Sequence, residues 1–455
     1  MNISTKVIEI YQKYYICPHC LGRCFALLGT ATTNLERGSS LLLSITMENH
    51  DLYLSRDKDN ENVAIDNLRI LAENANFLPS QKVLENEGIE YNLIKEIKKC
   101  YLCNDLFLNL QPHVDKAKES VNNREFESIL VGSRPASFIL NREDIFKAEF
   151  NLLTSESFKG HFNRAVGRKI SSELNVPAVF KYPDLTFLFS LSFENFSVEI
   201  NIRSIFIAGR YNKLIRGIPQ TRWICKTCQG KGCDLCNNSG KMYKTSVEEL
   251  ISPEFIYRSL ASGSKFHGAG REDIDVRMLG NGRTFILELE NPMIRSLELN
   301  KILKRVNKKN SRKIKIFDLR YSNKKEVINI KTKAEISKKT YKVLVGASKD
   351  LSFDKSRFNQ KISDLKSKLE NQKISQRTPN RVSHRRADKI RMKTIYEIEG
   401  RFLKPQLFEF IIKTQGGTYI KELIHGDNGR TIPSFSEIFN NPLSVLELDV
   451  IGTEE

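Results

Sequence analysis

The sequence lacks the features that would place the chain in a membrane or send it out of the cell. No apolar run reaches the roughly 18 residues that a membrane-spanning helix needs. The first 20 residues contain no basic stretch followed by an apolar block, so no secretory signal is expected. We therefore expect a cytoplasmic protein without membrane contact, in which the nine cysteines serve as metal ligands or free thiols rather than as disulfides.

The sequence also lacks the two glycine-rich loops that commonly cradle nucleotide phosphates. It contains neither G-x-x-x-x-G-K-S/T nor a G-x-G-x-x-G that opens a βαβ unit. This absence argues against an enzyme that depends on a nucleoside triphosphate or a dinucleotide. No organic cofactor is expected.

Positive charge is abundant and concentrated in two stretches. The net charge of the 455-residue chain is +18, and 40% of its residues are hydrophobic, enough to form the cores of several domains. Residues 301–325 hold 11 Lys/Arg against one acid, and residues 351–395 hold 13 against four, so the rest is close to neutral. Concentrated positive charge is typical of a nucleic-acid site. A solvated basic helix or a surface for acidic lipids is the alternative.

Eight of the nine cysteines form two sets with the spacing of metal ligands. Two C-x-x-C pairs far apart in sequence can close one four-thiolate site, and two pairs within twelve residues can close another. Filled thiolate sites are structural, with zinc as the expected metal and an iron–sulfur cluster as the alternative. Cys24 is left over, as a buried or free thiol or as a competing ligand. The predicted ligands are Cys17, Cys20, Cys100 and Cys103 in the first site and Cys225, Cys228, Cys233 and Cys236 in the second.

Hydrophobic patterns divide the chain into an α/β part followed by a strand-rich part. Residues 128–135 predict a strand, 162–174 a helix, and 196–211 a strand with clean alternation. The basic segment between the later strands is partly helical, and a long insertion of this kind suits a basic arm that reaches over RNA. Further strands are predicted at 283–292, 313–321, 326–332, 339–348, 394–403 and 407–417.

Residues 270–283 read GREDIDVRMLGNGR, a dense run of charge followed by two glycines. If this segment is a strand, Arg271, Asp273, Asp275 and Arg277 share one face, because side chains alternate. One interpretation is a half-buried strand with a solvated polar face. The other is the end of a catalytic strand, with a carboxylate held between guanidinium groups and the glycines turning the chain away.

Four motifs occur together in the order GREDIDVRMLGNGR, YKVLV, QRTPNRVSHRRAD and GGTYIKELIHGDNGRTIPSF. Together they closely resemble the archaeal and eukaryotic tRNA pseudouridine synthases that act on the T arm, at tRNA uridines 54 and 55. The resemblance is strong over residues 245–452, and the compact second cysteine set is similar to the archaeal branch. Residues 111–222 resemble, more loosely, the RNA-binding module called THUMP.

The resemblance implies an α+β fold, in which a pseudouridine synthase catalytic domain with a long central antiparallel sheet follows an N-terminal zinc-binding, THUMP-like α/β domain. The implied partner is tRNA, bound by a monomer at its T arm, with the acceptor stem as a candidate further contact. The expected regions are 1–110, helical and zinc-binding; 111–222, THUMP-like; 223–244, a compact four-cysteine knuckle; and 245–455, catalytic, with a basic insertion at 351–395.

The resemblance also implies roles for individual residues. Asp273 matches the catalytic aspartate, Tyr341 the tyrosine that packs against the target base, and Lys421 the basic residue that pairs with the aspartate. Ile420 matches an apolar wall of the pocket. Arg271 lies beside the aspartate as a substrate-binding residue, and phosphate-binding guanidinium groups are expected at Arg377, Arg381, Arg385 and Arg386.

Two other functions remain open on the sequence. The chain could be a tRNA-binding protein that keeps the fold without catalysis, or another THUMP-type enzyme. A methyltransferase would need a glycine-rich loop after a strand, and a sulfur transferase would need a reactive cysteine outside the metal sites, for which only Cys24 is available. The sequence leaves open whether one or both uridines are modified, which metal is bound, and the oligomeric state.

Overall fold

The computed structural model describes residues 2–56, 60–92, 98–348 and 354–454, apart from the side chain of Arg385. The chain divides into two compact units, Met1–Arg203 and Ser204–Glu455. This division differs from the four expected regions. The helical cysteine-containing region and the THUMP-like strands share one hydrophobic core, and the compact knuckle lies within the second unit.

The first unit combines helices with a small sheet. Strands β1 and β2 are parallel, and β2 and β3 are antiparallel. Alternate residues of β2, from Leu185 to Leu191, are buried and share a core with Phe158 and Phe162 of α8. The elements are α1 (Ile3–Lys13), α2 (Pro18–Cys24), α3 (Asn34–Leu54), α4 (Glu61–Glu73), α5 (Leu78–Asn86), α6 (Gln111–Val121), β1 (Ile129–Pro135), α7 (Ser137–Glu149), α8 (Phe158–Leu174), β2 (Leu185–Leu191) and β3 (Phe196–Ile202).

Two glycines allow α2 and α3 to pack backbone to backbone. A Cβ atom on Gly22 would lie 1.8 Å from the carbonyl oxygen of Asn34, and one on Gly38 would lie 1.9 Å from that of Pro18. Any side chain at either position would therefore force the helices apart. The close packing fixes α2, which carries Cys20 on its first turn.

The second unit is built on a ten-stranded sheet. The strand order is β12-β9-β10-β11-β8-β13-β6-β4-β7, with β5 paired to β6. All pairs are antiparallel except β13 with β6. The elements are β4 (Ile205–Lys213), α9 (Val247–Ser259), β5 (Gly263–Gly268), β6 (Arg277–Glu290), α10 (Leu299–Lys309), β7 (Ile314–Ser322), α11 (Lys324–Ile336), β8 (Lys338–Ala347), α12 (Lys355–Leu369), β9 (Gln372–Arg377), β10 (Ile390–Lys404), β11 (Leu407–Gln415), α13 (Ile420–His425), β12 (Thr431–Ile432), α14 (Phe435–Phe439) and β13 (Leu443–Glu454).

The predicted strand at 196–211 is two strands that belong to different units. Strand β3 ends at Ile202, whereas β4 pairs with β6 and β7 of the large sheet. Strand β4 is buried on both faces, because Ile205 and Ile207 lie in the main core and Phe206 and Ala208 in a second cluster. The expected boundary at residue 222 therefore falls too late in the chain.

The predicted strand at 326–332 is a helix. The side chain of Asn323 accepts a hydrogen bond from the Glu326 backbone N–H and caps α11. Val327 and Ile330, at helical spacing, pack into the smaller core cluster. The β-branched residues of the segment favour a strand, but the helix cap and the helical spacing of the buried residues favour a helix and outweigh that preference.

The basic segment at 351–395 is part of the fold in its described residues, not an arm. Helix α12 buries Phe358, Leu365 and Leu369 in the main core, and β9 pairs with β10 as a strand of the sheet. Most of its charged residues lie at exposed or half-buried positions, whereas Lys393 of β10 is buried. The first residues of the expected insertion, 351–353, lie outside the described residues.

Candidate active site and metal centres

The GRED motif forms a loop between β5 and β6, which corrects the expected strand. Residues 270–276 have no regular structure, and the strand begins at Arg277. Gly280 and Gly282 have positive φ angles of 60° and 68° but lie inside β6 and do not end it. The four charged side chains therefore do not share a strand face, and each has its own surroundings.

Two basic residues, Lys213 and Arg216, donate hydrogen bonds to the backbone of this loop. The ammonium of Lys213 donates hydrogen bonds to the carbonyl oxygens of Ile218 at 2.9 Å and of Asp273 and Ile274 at 3.1 Å. Arg216 donates to the carbonyl oxygen of Asp275 at 2.9 Å. Lys213 is fully buried, and burial lowers its pKa to about 8. The carbonyl oxygens of three consecutive residues, 273–275, are thus held by two basic side chains.

Glu272 anchors the same loop in the core. Its carboxylate accepts a hydrogen bond from the Tyr211 hydroxyl at 2.9 Å and pairs with Arg283 Nε at 2.9 Å. All three side chains are buried, and burial, followed by the Glu272 charge, raises the pKa of Tyr211. A buried carboxylate without partners would be costly. This pairing therefore favours one loop conformation, with Glu272 inward and Asp273 outward.

Asp273 faces two cations from other parts of the unit. Arg381 Nη1 lies 2.9 Å from its carboxylate, and Lys421 Nζ lies 3.8 Å away. Arg381 is itself held by the buried Glu422, at 2.7 Å from Nε. The expected pairing with Lys421 is thus present but long, and the closer cation is Arg381.

Lys421 lies closest to the second aspartate. Its Nζ is 2.7 Å from the Asp275 carboxylate, whose side chain is 63% exposed. Burial raises the pKa of Asp275, but the hydrogen bond from Lys421 and its charge outweigh this effect and lower the pKa overall. Asp275 therefore competes with Asp273 for the same lysine.

Tyr341 and Ile420 line the apolar side of this region. Tyr341 lies on β8 opposite Ile412 of β11, and only 9% of it is exposed. Burial raises its pKa to about 12, with a smaller contribution in the same direction from the Asp273 charge. Ile420 opens α13 and is buried beside Lys421. Tyr341 is therefore a neutral phenol at physiological pH.

The remaining arginines predicted to bind substrate lie in varied surroundings. The guanidinium of Arg271 lies 4.9 Å above the ring of Trp223, and Arg386 Nη1 donates to the Tyr419 hydroxyl at 2.8 Å. Arg377 pairs with Asp388 at 2.7 Å. The side chain of Arg385 lies outside the described residues. Arg277, on the predicted polar face, forms a bidentate pair with the buried Asp449.

Sequence reasoning missed the supporting residues of the loop. Lys213 and Arg216 lie within the expected THUMP-like region, 111–222, but both contact the backbone of the GRED loop. Gln376 was assigned to the insertion, but its side-chain amide bonds both the N–H and the C=O of Tyr419, next to Ile420.

Both cysteine sets close into tetrads. In each, the four Sγ atoms lie within 4.8 Å of one another. The sulfur–sulfur distances of four neighbouring pairs are 3.6–3.8 Å. Four sulfurs at about 2.3 Å from a central ion, the usual zinc–sulfur distance, would be about 3.8 Å apart. The donor chemistry and spacing therefore fit a tetrahedral metal ion at each site.

The remaining cysteine, Cys24, belongs to neither tetrad. It is buried and donates to the carbonyl oxygen of Cys20 at 3.2 Å. Burial raises the pKa of its thiol to about 12, so the nucleophilic thiolate is disfavoured. This environment argues against the sulfur-transferase alternative.

Comparison with known families defines the class of protein. Residues 206–454 match the family model described as Pus10, C-terminal, and residues 113–190 match the one described as Pus10 THUMP domain, archaeal. The matched regions define a pseudouridine synthase that carries a THUMP domain. The chain belongs to the Pus10 family. The expected α+β fold and the THUMP domain are confirmed, and no helix of the described residues is long and apolar enough to span a membrane.

Relatives match over almost the whole chain. The sequence is 37% identical to the tRNA pseudouridine synthase Pus10 of Methanocaldococcus jannaschii, over 99% of this chain and 94% of that protein. It is also 37% identical to the protein of the same name from Methanothermobacter marburgensis, over 97% and 95%. Among solved structures, the chain is similar to a chain of a Cbf5-Nop10-Gar1 complex. The match covers 54% of this chain and 48% of that chain, at 16% identity and a TM-score of 0.28. That similarity is too low to carry any argument.

Proposed function

We propose that this pseudouridine synthase acts on the T arm of tRNA, at uridines 54 and 55, with Asp273 as the catalytic carboxylate. Family membership supports the reaction class, an isomerisation. The observation that carries the choice of carboxylate is the position of Asp273 between Arg381 at 2.9 Å and Lys421 at 3.8 Å. The T-arm position rests on the motif resemblance.

The reaction is balanced without a co-reactant. The C1′–N1 glycosidic bond breaks, the uracil turns, and a new bond forms between C1′ and C5. The hydrogen on C5 leaves as a proton and N1 gains one, so nothing is oxidised or reduced. The chain must therefore supply a carboxylate that acts at C1′ or on the base, a pocket that excludes water, and a route for one proton.

The residues around Asp273 suit these tasks. The cations of Arg381 and Lys421 favour the ionised carboxylate, and Glu422 keeps Arg381 oriented. Tyr341 supplies a flat apolar surface for the base and a hydroxyl that can assist proton transfer. A uridine inside a folded T loop is inaccessible, so it must turn out of its stack to reach them.

The wider surface suits recognition of a folded RNA. Arg377 and Arg386 are exposed guanidinium groups near the start of α13, and such groups bind phosphates well. Folded RNA is read largely through its shape and backbone. The THUMP-containing unit is proposed to contact another part of the tRNA, such as the acceptor stem, in a cytoplasmic monomer.

We infer that both tetrads hold structural zinc. The first is buried in the core of the N-terminal unit, where a bound ion would add folding energy. In the second, Gly232 and Gly240 direct backbone N–H groups at Cys228 and Cys236, which favours thiolates. Metal analysis should give about two zinc ions per chain. Iron with visible absorption would point instead to clusters.

The test is pseudouridine mapping on unmodified tRNA transcripts that carry a uridine at position 54, at 55, or at both. Wild type, Asp273→Asn and Asp275→Asn are compared without added cofactor. Asp364→Asn, on the exposed face of α12, is the control for loss of a carboxylate. We expect product with wild type, Asp275→Asn and Asp364→Asn, and none with Asp273→Asn.

Each other outcome has a distinct meaning. Activity in Asp273→Asn together with none in Asp275→Asn would transfer the catalytic role to Asp275. Binding of tRNA by wild type without any pseudouridine would favour the non-catalytic alternative. Product at a uridine outside the T arm would overturn the proposed position but not the reaction.

A further inference from the structure

The compact cysteine knuckle, residues 223–244, is a basic segment of the second unit that is closed by backbone hydrogen bonds and by the second tetrad. The Cys225 N–H donates to the Gly240 carbonyl oxygen and the Met242 N–H donates to that of Trp223, each at 2.9 Å. These bonds and the tetrad fix a chain segment with little regular structure. The knuckle holds four lysines and a single acid, Asp234.

Three of these lysines point away from any internal partner. Lys226, Lys231 and Lys244 are exposed, and no ion pair involves them among the residues that the structure describes. The fourth, Lys241, pairs with Glu249 at 2.6 Å. Unpaired cations on a rigid frame keep their charge available for an external anion and lose little freedom when they bind it.

The knuckle is directly connected to the catalytic loop. Trp223 packs edge-on against Tyr243, with ring centres 5.4 Å apart, and Arg271 lies above its ring. Gln220, just before the knuckle, donates to the Gly270 carbonyl oxygen at 3.0 Å. Arg271 precedes the proposed catalytic Asp273 by two residues. A polyanion bound to the knuckle would therefore lie beside the active site.

We propose that Lys226, Lys231 and Lys244 of the knuckle bind the phosphate backbone of the RNA substrate and hold it beside the catalytic loop. This inference rests on the proposed function. Phosphates are the natural partners of such cations, and neutralising them releases counterions from the RNA. The exposed Ile224 and Met242 fit the sugar edges that accompany a backbone. Because basic and apolar side chains together could also suit an anionic membrane, vesicles form one arm of the test.

The experiment compares the triple variant Lys226→Ala/Lys231→Ala/Lys244→Ala with wild type. The matched control, Lys265→Ala/Lys342→Ala/Lys413→Ala, removes the same charge from lysines paired with Glu290, Glu409 and Glu454. Binding to unmodified tRNA is measured from low to high salt, together with the rate of pseudouridine formation at saturating tRNA. Zinc content verifies that each variant keeps its metal.

We expect the knuckle variant to bind tRNA roughly 10-fold or more weakly, with a salt slope smaller by about 2 to 3, since each phosphate contact contributes about 0.7 to 0.9. Its rate at saturating tRNA should equal that of wild type, and the control should match wild type in both. An unchanged affinity and slope would overturn the proposal. The proposal would also be overturned if the knuckle variant lost binding to phosphatidylserine vesicles but still bound tRNA as wild type does. If wild type binds tRNA without modifying it, the proposed function is refuted. The role of the knuckle lysines would still be decided by comparing the tRNA affinity of the variant with that of wild type.

Discussion

The sharpest single test of the site is the replacement of the buried Lys213 by methionine. The change keeps an unbranched side chain that is one atom shorter, and it removes the ammonium that donates to the carbonyl oxygens of Ile218, Asp273 and Ile274. Two of these acceptors keep another donor, because Val276 N–H bonds the Asp273 carbonyl at 3.1 Å and Gly217 N–H bonds that of Ile274 at 2.9 Å.

The cost in stability should therefore be moderate. The carbonyl oxygen of Ile218 loses the ammonium donor, a loss that costs about 1–3 kcal/mol. The cost in catalysis should be larger, because the peptide groups that position Asp273 become free to shift, and a displacement of about 1 Å can cost about 100-fold in rate. The affinity for tRNA should remain unchanged, since Lys213 is buried and contacts no substrate.

The assay combines urea unfolding with single-turnover pseudouridine formation. Val306→Ala in α10 serves as the control, because it removes two buried methyl groups at about 0.8 kcal/mol each and opens a cavity far from the loop in sequence. We expect similar stability losses in the two variants but a large loss of rate only in Lys213→Met. A Lys213→Met enzyme with the wild-type single-turnover rate would refute the positioning role.

Three further outcomes follow from the same contacts. Burial lowers the pKa of Lys213 to about 8 from its ordinary 10.5, so between these pH values the unfolded chain binds one more proton than the folded chain. The free energy of unfolding should therefore rise with pH from about 8 to 10.5. Urea unfolding at several pH values should show this rise in wild type and not in Lys213→Met. Glu422→Gln weakens the buried partner of Arg381 and should lower the single-turnover rate roughly 10-fold with little change in tRNA affinity; equal rates would contradict the role assigned to Glu422. Cys100→Ser should reduce the zinc content from about two to one and lower the thermal midpoint of the N-terminal unit, whereas retention of both ions would exclude the first tetrad as a zinc site.

Features with a local physical cause were predictable from the sequence. Cysteine spacing defined both tetrads, because a metal imposes its own geometry on the side chains that bind it. Alternation defined most strands of the large sheet, such as β8 and β11, which bury every second residue. The motifs placed Asp273 and Lys421 in one region although 148 positions separate them.

Features that depend on long-range partners were not predictable in the same way. The charge pattern of the GRED segment fits a strand, but Glu272 turns inward to meet Arg283 and Tyr211, and no local rule reveals these partners. Strand β4 looked continuous with β3, because both are rich in apolar residues and only two residues separate them, although β3 alternates and β4 is buried on both faces. Likewise, the charge of the 351–395 segment suggested an arm, whereas its few apolar residues at helical spacing decided its place in the core.

The charges of the proposed active site favour a division in which binding and catalysis are carried by different groups. Around the loop, the carboxylates of Asp273, Asp275 and Glu422 face the cations of Arg381 and Lys421, which leaves this cluster with a net charge of −1. Such a cluster cannot by itself attract a polyanion, so affinity for RNA must come from cations outside it. The cluster can, however, accept a neutral uracil without any change in its charge balance. Variants of the surrounding cations should therefore alter the affinity for tRNA, and variants of the loop and its buried supports should alter the rate.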